Sequence, residues 1–302
     1  MWGWLARRAH GYPMPETIVV IPCYNEADRL DVDGLLQFAQ TSSDLGFLLV
    51  DDGSTDATRE LLERLHRTRP DLFGVHGLPR NRGKAEAVRQ GVLRAFSASP
   101  DFVAFWDADL STPLAAIAQF RAVLRARPEC QLVMGSRVAL LGRRVQRRWS
   151  RHLMGRVFAT VASAALGLRI YDTQCGAKMF RASPRLEAVF HQTFLSRWIF
   201  DVELLARLTC SGLFEGMPLG QGVVYELPLD EWRDVSGSKL KSTDFAKAVW
   251  ELAAIYGRYM HPYRRRQRTS PPSAYTASGQ ARTDAETVAD VGHRSPDHRK
   301  AA

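Results

Sequence analysis

Between Thr17 and Gly135 short apolar runs alternate with amphipathic stretches, and this rhythm restricts the fold more than any other feature. Thr17–Ile21, Phe47–Val50, Phe73–Leu78, Phe102–Trp106 and Gln131–Gly135 read as buried strands. Helical spacing lies between them. Leu61, Leu62 and Leu65 follow Asp56, Val88, Val92 and Leu93 follow Lys84, and Ile117, Phe120 and Leu124 follow Pro113. Thr112 and Pro113 read as the N-cap and first position of that last helix. Strands alternating with helices predict right-handed βαβ units, hence an α/β fold with a mostly parallel sheet flanked by helices.

The rhythm changes after Ser136. A basic stretch leads into a helical pattern ending near Leu168. A glycine-containing segment runs from Asp172 to Phe180. Trp198–Leu208 reads as a helix, Val223–Leu227 as a strand and Phe245–Tyr259 as a last helix. Residues 1–15 are expected to be a loose leader, 16–262 one domain, and 263–302 a disordered polar and basic tail without apolar periodicity. The longest apolar run, Val157 to Leu168, is about half of what a spanning helix needs. Neither that run nor the polar N-terminal stretch predicts a membrane span or a secretory signal.

Four polar clusters follow four successive strands. They are Pro22-Cys23-Tyr24-Asn25-Glu26, then Asp51-Asp52-Gly53-Ser54, then Asn81-Arg82-Gly83-Lys84, then Asp107-Ala108-Asp109. The carboxyl ends of parallel strands share one edge, where ligands bind, so the clusters are expected to converge on one crevice. Their chemistry follows from residue type. Asp51 or Asp52 suits hydrogen bonds from a base or ribose, and Gly53 permits close backbone approach. Gly83 and Lys84, at a helix start, suit a phosphate. Asp107 and Asp109 are hard oxygen ligands suited to Mg²⁺ or Mn²⁺ on a diphosphate. A dinucleotide-binding G-x-G-x-x-G is absent, and Gly77 to Lys84 fails as a P-loop on spacing and on Ala85.

The formal charge of +9 calls for an anionic partner. Nucleic acid is disfavoured. The basic residues adjoin a carboxylate cluster that would repel phosphates without metal, and they are not interleaved with aromatics. Four cysteines without C-x-x-C spacing predict free thiols in a reducing compartment, with neither disulfides nor zinc.

The four clusters resemble the family 2 inverting glycosyltransferases of GT-A fold, a single Rossmann-like domain. Gly135-Ser136-Arg137, the Asp172–Phe180 segment, Arg197-Trp198-Ile199-Phe200-Asp201-Val202-Glu203-Leu204-Leu205 and Ser236-Gly237-Ser238-Lys239-Leu240 look like the dolichyl-phosphate glucosyltransferases. The resemblance implies transfer of glucose from UDP-glucose to a polyprenyl phosphate. Pro22, Tyr24, Asn25, Glu26, Asp51, Asp52, Gly53, Asn81, Gly83, Lys84, Asp107, Ala108 and Asp109 would hold the nucleotide-sugar. Asp172, Gln174 and Trp198 would shape its sugar pocket. Ser111 would join Asp107 and Asp109 on the metal, where many mannose-type relatives carry Gln. Asp201 takes the place of the catalytic Asp of hydroxyl-using relatives. Arg137, with Arg151, Ser238 and Lys239, would meet the acceptor phosphate. Arg137 and Asp109 would act in the transfer itself.

Arg137, Arg143, Arg144, Arg147, Arg148, Arg151 and Arg156 occur with no acidic residue among them, which suits docking on an anionic membrane surface. A cytoplasmic enzyme held peripherally on the inner membrane face is therefore expected. A GDP-mannose-dependent polyprenyl-phosphate mannosyltransferase, or a soluble transferase acting on a sugar hydroxyl, are the alternatives.

Overall fold

The architecture follows from which residues can be buried on both sides of a sheet. The computed structural model describes residues 14–41, 44–146, 149–211, 222–233 and 243–262, with no description of the side chains of 146, 149–154 and 243–246. The expected leader up to residue 13 and the tail 263–302 lie outside the described residues.

In chain order the elements are β1 (Thr17–Cys23), α1 (Val32–Gln40), β2 (Leu45–Asp51), α2 (Thr58–Thr68), β3 (Phe73–Gly77), α3 (Lys84–Phe96), β4 (Phe102–Trp106), α4 (Ala116–Ala126) and β5 (Leu132–Ser136). There follow β6 (Arg144–Gln146), α5 (Trp149–Leu166), β7 (Ala177–Arg181), α6 (Pro184–His191), α7 (Phe200–Cys210), β8 (Val224–Pro228), β9 (Glu231–Arg233) and α8 (Thr243–Ile255). One π-helical turn, Tyr256–Met260, continues α8.

The main sheet has seven strands in the order β3-β2-β1-β4-β7-β5-β8. Pairings β1–β2, β1–β4, β2–β3 and β5–β8 are parallel. Only β7 runs against its neighbours, β4 and β5. The mostly parallel sheet and all six expected strands, Val223–Leu227 included, are present, each within two residues of its predicted ends. β7 is new, since its segment carried no strand expectation. A second, two-stranded sheet pairs β6 with β9 in parallel.

One core layer joins Val19, Ile21, Phe47, Leu49, Phe73, Ala104 and Trp106 to Leu35, Leu62, Leu65, Ile117 and Phe120 of α1, α2 and α4. Phe47 and Phe73 stack at 5.4 Å, and Trp106 meets Phe120 edge-on at 5.0 Å. The opposite residues of the same strands are equally buried, because both faces are covered.

Thr112 and Pro113 do not open α4, which starts at Ala116. The chain before it is held as a loop. The Trp106 indole donates to the Thr112 carbonyl at 2.8 Å, and the Arg233 N–H donates to the Ser111 carbonyl at 3.1 Å. These contacts keep residues 111–112 off the helix axis.

Candidate functional site

The carboxyl ends of β1, β2, β3, β4 and β5 share one edge of the sheet, as does the turn entering the antiparallel β7. After β1 the chain turns through Asn25, which has a left-handed φ of 52°. The Asn25 N–H donates to Ser54 Oγ at 3.1 Å, and its side-chain oxygen accepts from the Thr55 N–H at 2.9 Å. The Glu26 N–H donates to Thr58 Oγ1 at 2.7 Å. The loops after β1 and β2 are thereby one unit.

Asp51 and Asp52 divide their work. Asp51 Oδ1 accepts from the Ser54 N–H at 3.0 Å, with Arg59 3.8 Å from its other oxygen. Asp52 reaches across to the third loop, where its two oxygens accept the Arg82 and Gly83 N–H groups, each at 2.7 Å. Burial pushes the Asp52 carboxyl up, against those two donors and the charge of Arg197, and leaves it raised. Asp52 therefore braces the loop that enters α3. The Gly83 N–H expected to meet phosphate is already occupied, because a carboxylate satisfies a helix N-terminus as a phosphate does. Gly53 also differs from its sequence reading. A Cβ there would meet the Arg80 carbonyl carbon at 2.4 Å, so its close approach is to the chain's own 80–81 backbone.

The β4 turn holds the two aspartates beside two cations. Lys84, from the first turn of α3, forms an ion pair with Asp107. Burial opposes the Lys84 charge, but Asp107, Asp201 and Asp109 outweigh it and raise its pKa. Arg29 lies 3.2 Å from Glu26 and 3.6 Å from Asp109. The other Asp109 oxygen accepts the Ser111 N–H at 3.0 Å, so Ser111 braces the turn through its backbone. Among the described residues no three His, Cys, Asp or Glu side chains gather as a metal cage. Two partly exposed carboxylates in one turn nonetheless fit a divalent cation that takes its remaining oxygens from substrate phosphates and water.

The far side of the edge is built by long-range pairs. The Arg137 guanidinium forks onto Asp172 with Nε–Oδ2 2.7 Å and Nη2–Oδ1 2.8 Å, and its N–H donates to the same carboxylate at 3.1 Å. It lies 5.4 Å from the Trp232 ring centroid. Glu226 accepts the Tyr171 and Asp172 N–H groups at 2.7 and 2.8 Å, and burial raises its pKa despite them. Arg137 is thus forked onto a carboxylate, a partner that the sequence reading did not give it. The sequence run without acids conceals this, since the acids arrive from elsewhere: Asp172 for Arg137 and Asp230 for Arg143. The Arg156 guanidinium donates to the Tyr171 carbonyl at 2.7 Å and lies 3.6 Å from that ring's centroid.

Asp201, in the first turn of α7, is buried and 2.5 Å from Nζ of the fully buried Lys178 on β7. The Gln174 N–H donates to Asp172 Oδ1 at 3.3 Å. Trp198 is 44% exposed. Arg197 donates to the Asn81 side chain at 3.3 Å, which brings the loop before α7 to the third cluster. The structure brings the β1–β4 clusters, Arg137, Asp172 and Asp201 to one edge. Ser238 and Lys239 lie outside the described residues, as does the Arg151 side chain. Arg29, Gly176 and Lys178 carried no role in the sequence reading. The glycine and lysine stood inside a noted motif, which was the only available signal.

A family model described as Glycosyl transferase family 2 matches residues 18–186. The chain is 32% identical over 244 residues to the dolichyl-phosphate beta-glucosyltransferase of Mus musculus, covering 76% of this chain and 70% of that protein. Against the Homo sapiens protein of the same name the identity is 31%, with the same coverage. Among solved structures, glucosyl-3-phosphoglycerate synthase from Mycobacterium tuberculosis with Mn²⁺, UDP-Glc and phosphoglyceric acid gives a TM-score of 0.57 at 17% identity, covering 84% of this chain and 83% of that one. Mannosyltransferase PcManGT from Pyrobaculum calidifontis, in complex with GDP-Man and Mn²⁺, gives 0.51 at 21%, covering 78% and 64%. At these identities the two structures speak for the fold.

Proposed function

Because the chain belongs to glycosyl transferase family 2 and is a glycosyltransferase of GT-A fold, we propose that it moves glucose from UDP-glucose to a polyprenyl phosphate with inversion at C1. The observation that carries the reading is the acidic turn Asp107–Asp109 beside Lys84, on the edge where Asn25, Asp51 and Arg197 also lie. The names of the relatives support a glucosyl donor and a dolichyl-type acceptor.

In the transfer the C1–O bond to UDP breaks as an acceptor phosphate oxygen bonds to C1 from the opposite face. Asp107 and Asp109, with Ser111, would hold Mg²⁺ or Mn²⁺, which supplies neutralisation of the departing diphosphate. Lys84 adds a fixed ammonium on the same side, and Arg197 a guanidinium near Asn81. Asp51, Tyr24 and Asn25 line the nucleoside end, while Asp172, Gln174 and Trp198 line the sugar end. Arg137 serves there by holding Asp172 in place. A phosphate acceptor is ionised at neutral pH and attacks without a strong base, so the enzyme's task is to set two anions side by side.

The acceptor's lipid requires a membrane partner. No helix among the described residues is long and apolar enough to cross a membrane. On α5, Val157 and Val161 are each 51% exposed one turn apart, and on α8 Trp250 is 79% exposed. These faces, with basic residues such as Arg144, suit peripheral docking on an anionic surface, at about 1 kcal/mol per basic side chain.

The test supplies UDP-glucose or GDP-mannose with a short-chain polyprenyl phosphate, and separately with free sugars, in Mg²⁺ and in Mn²⁺. A glucosylated lipid phosphate from UDP-glucose is expected. Mannosyl product alone overturns the donor, and product from free sugars alone overturns the acceptor.

A further inference from the structure

Lys178 has no solvent exposure, and an ammonium so placed must be paired. It sits on β7 directly across from Phe105 of β4, with its Nζ 5.3 Å from that ring's centroid. Phe105 in turn lies 5.8 Å from Phe200 and 6.2 Å from Phe180. This aromatic surround offers no hydrogen-bond acceptor. The ammonium finds two elsewhere: Asp201 Oδ1 at 2.5 Å and the Cys175 carbonyl at 2.7 Å. These partners stand on different segments. Asp201 begins α7, and Cys175 lies in the turn that enters β7. That turn also carries Gly176, against which Asp107 rests, and Asp172, which clamps Arg137.

One buried cation therefore joins the first turn of α7 to the turn that walls the sugar side. It also settles what Asp201 can do. A general base must be within hydrogen-bond reach of the proton it takes and free to take it. Asp201 is 5% exposed, with one oxygen held by Lys178.

We infer that Lys178 is a positioning residue for the transfer: it pins Asp201 and ties the first turn of α7 to the turn that enters β7, so that Asp201 does not serve as the proton acceptor. This rests on the proposed reading of an acceptor that arrives already ionised.

The test is a cycle of K178M, D201N and the double variant, with kcat and KM followed across pH on whichever acceptor the wild type uses. K178M is expected to lower kcat about 100-fold, the scale of a misplaced group, with KM for UDP-glucose moving less than about threefold. Adding D201N to K178M is expected to restore about tenfold, because it removes the uncompensated charge. D201N alone should leave the shape of kcat against pH unchanged. Purely additive losses, or an acid limb in the wild type that D201N removes, would overturn the inference. If K178M does not fold, the D201N pH profile decides alone. Lack of wild-type turnover with polyprenyl phosphate would instead sink the acceptor reading, and the cycle would then be run on the sugar acceptor.

Discussion

Gly176 lies so close against the Asp107 carboxylate that a Cβ on it would meet Oδ2 at 1.9 Å and Cγ at 2.2 Å. The turn before β7 thus acts as the floor on which a candidate metal ligand rests. Gly176→Ala must displace Asp107, since the added carbon meets the carboxylate itself. Turnover is expected to fall about 100-fold, with weaker Mn²⁺ binding in calorimetry and an unchanged circular-dichroism spectrum. Wild-type Mn²⁺ affinity in the variant would refute the contact.

Asp109→Ala tests the proposed ligand more directly. The side chain is 24% exposed and, among the described residues, anchors the Ser111 N–H and, at 3.6 Å, Arg29. Unfolding free energy should move by no more than about 1 kcal/mol, while turnover drops at least about 100-fold. Chelation of the wild type should reproduce the loss, and added Mn²⁺ should reverse it. Retained metal-dependent turnover in the variant would refute the assignment.

Removing Asp52 should loosen the third loop. Asp52→Ala leaves the Arg82 and Gly83 N–H groups without their acceptor, at a cost of about 1–3 kcal/mol. A lowered melting temperature and weaker UDP binding are expected together. Asp52→Asn retains an acceptor oxygen and should lie between the two.

Glu203 is fully buried and accepts from Leu195, Ser196, Arg207 and Tyr259. It fixes the loop that carries Arg197 and leaves Arg207 compensated. Glu203→Ala takes from the buried Arg207 its carboxylate, leaving the Val189, Gln192 and Thr193 carbonyls as acceptors, and should cost about 3–5 kcal/mol, read from urea unfolding. A loss below about 1 kcal/mol would show that Arg207 finds other support.

The cysteines should be chemically quiet. Burial raises the Cys23 and Cys130 thiols, and pushes Cys175 and Cys210 up to about 11. At about pH 8 the thiolate is then scarce in the native state, so Ellman's reagent should react slowly with folded protein. All four should react promptly once it is unfolded. Rapid native labelling would show that the thiols are reached.

Much of the site was legible because its signal is local. An apolar run ended by polar residues marks a strand end, and parallel strands carry those ends to one rim. Asn25, Asp51, Lys84 and Asp107 could be gathered on that logic alone. Distance along the chain concealed the rest. Arg137 reads as a free cation because its partner Asp172 lies 35 residues away. Asp52 reads as a ligand group, yet it caps a loop 30 residues on.

The alternation of buried strands and amphipathic helices, and hence the carboxylate-lined rim, was determined by the sequence itself, because hydrophobic period and turn chemistry act between near neighbours. Only the tertiary structure decided that β7 enters antiparallel between β4 and β5. That one insertion sets Gly176 under Asp107 and Lys178 against Asp201. No local pattern specifies it, since strand neighbours are chosen by the burial and pairing of the whole sheet.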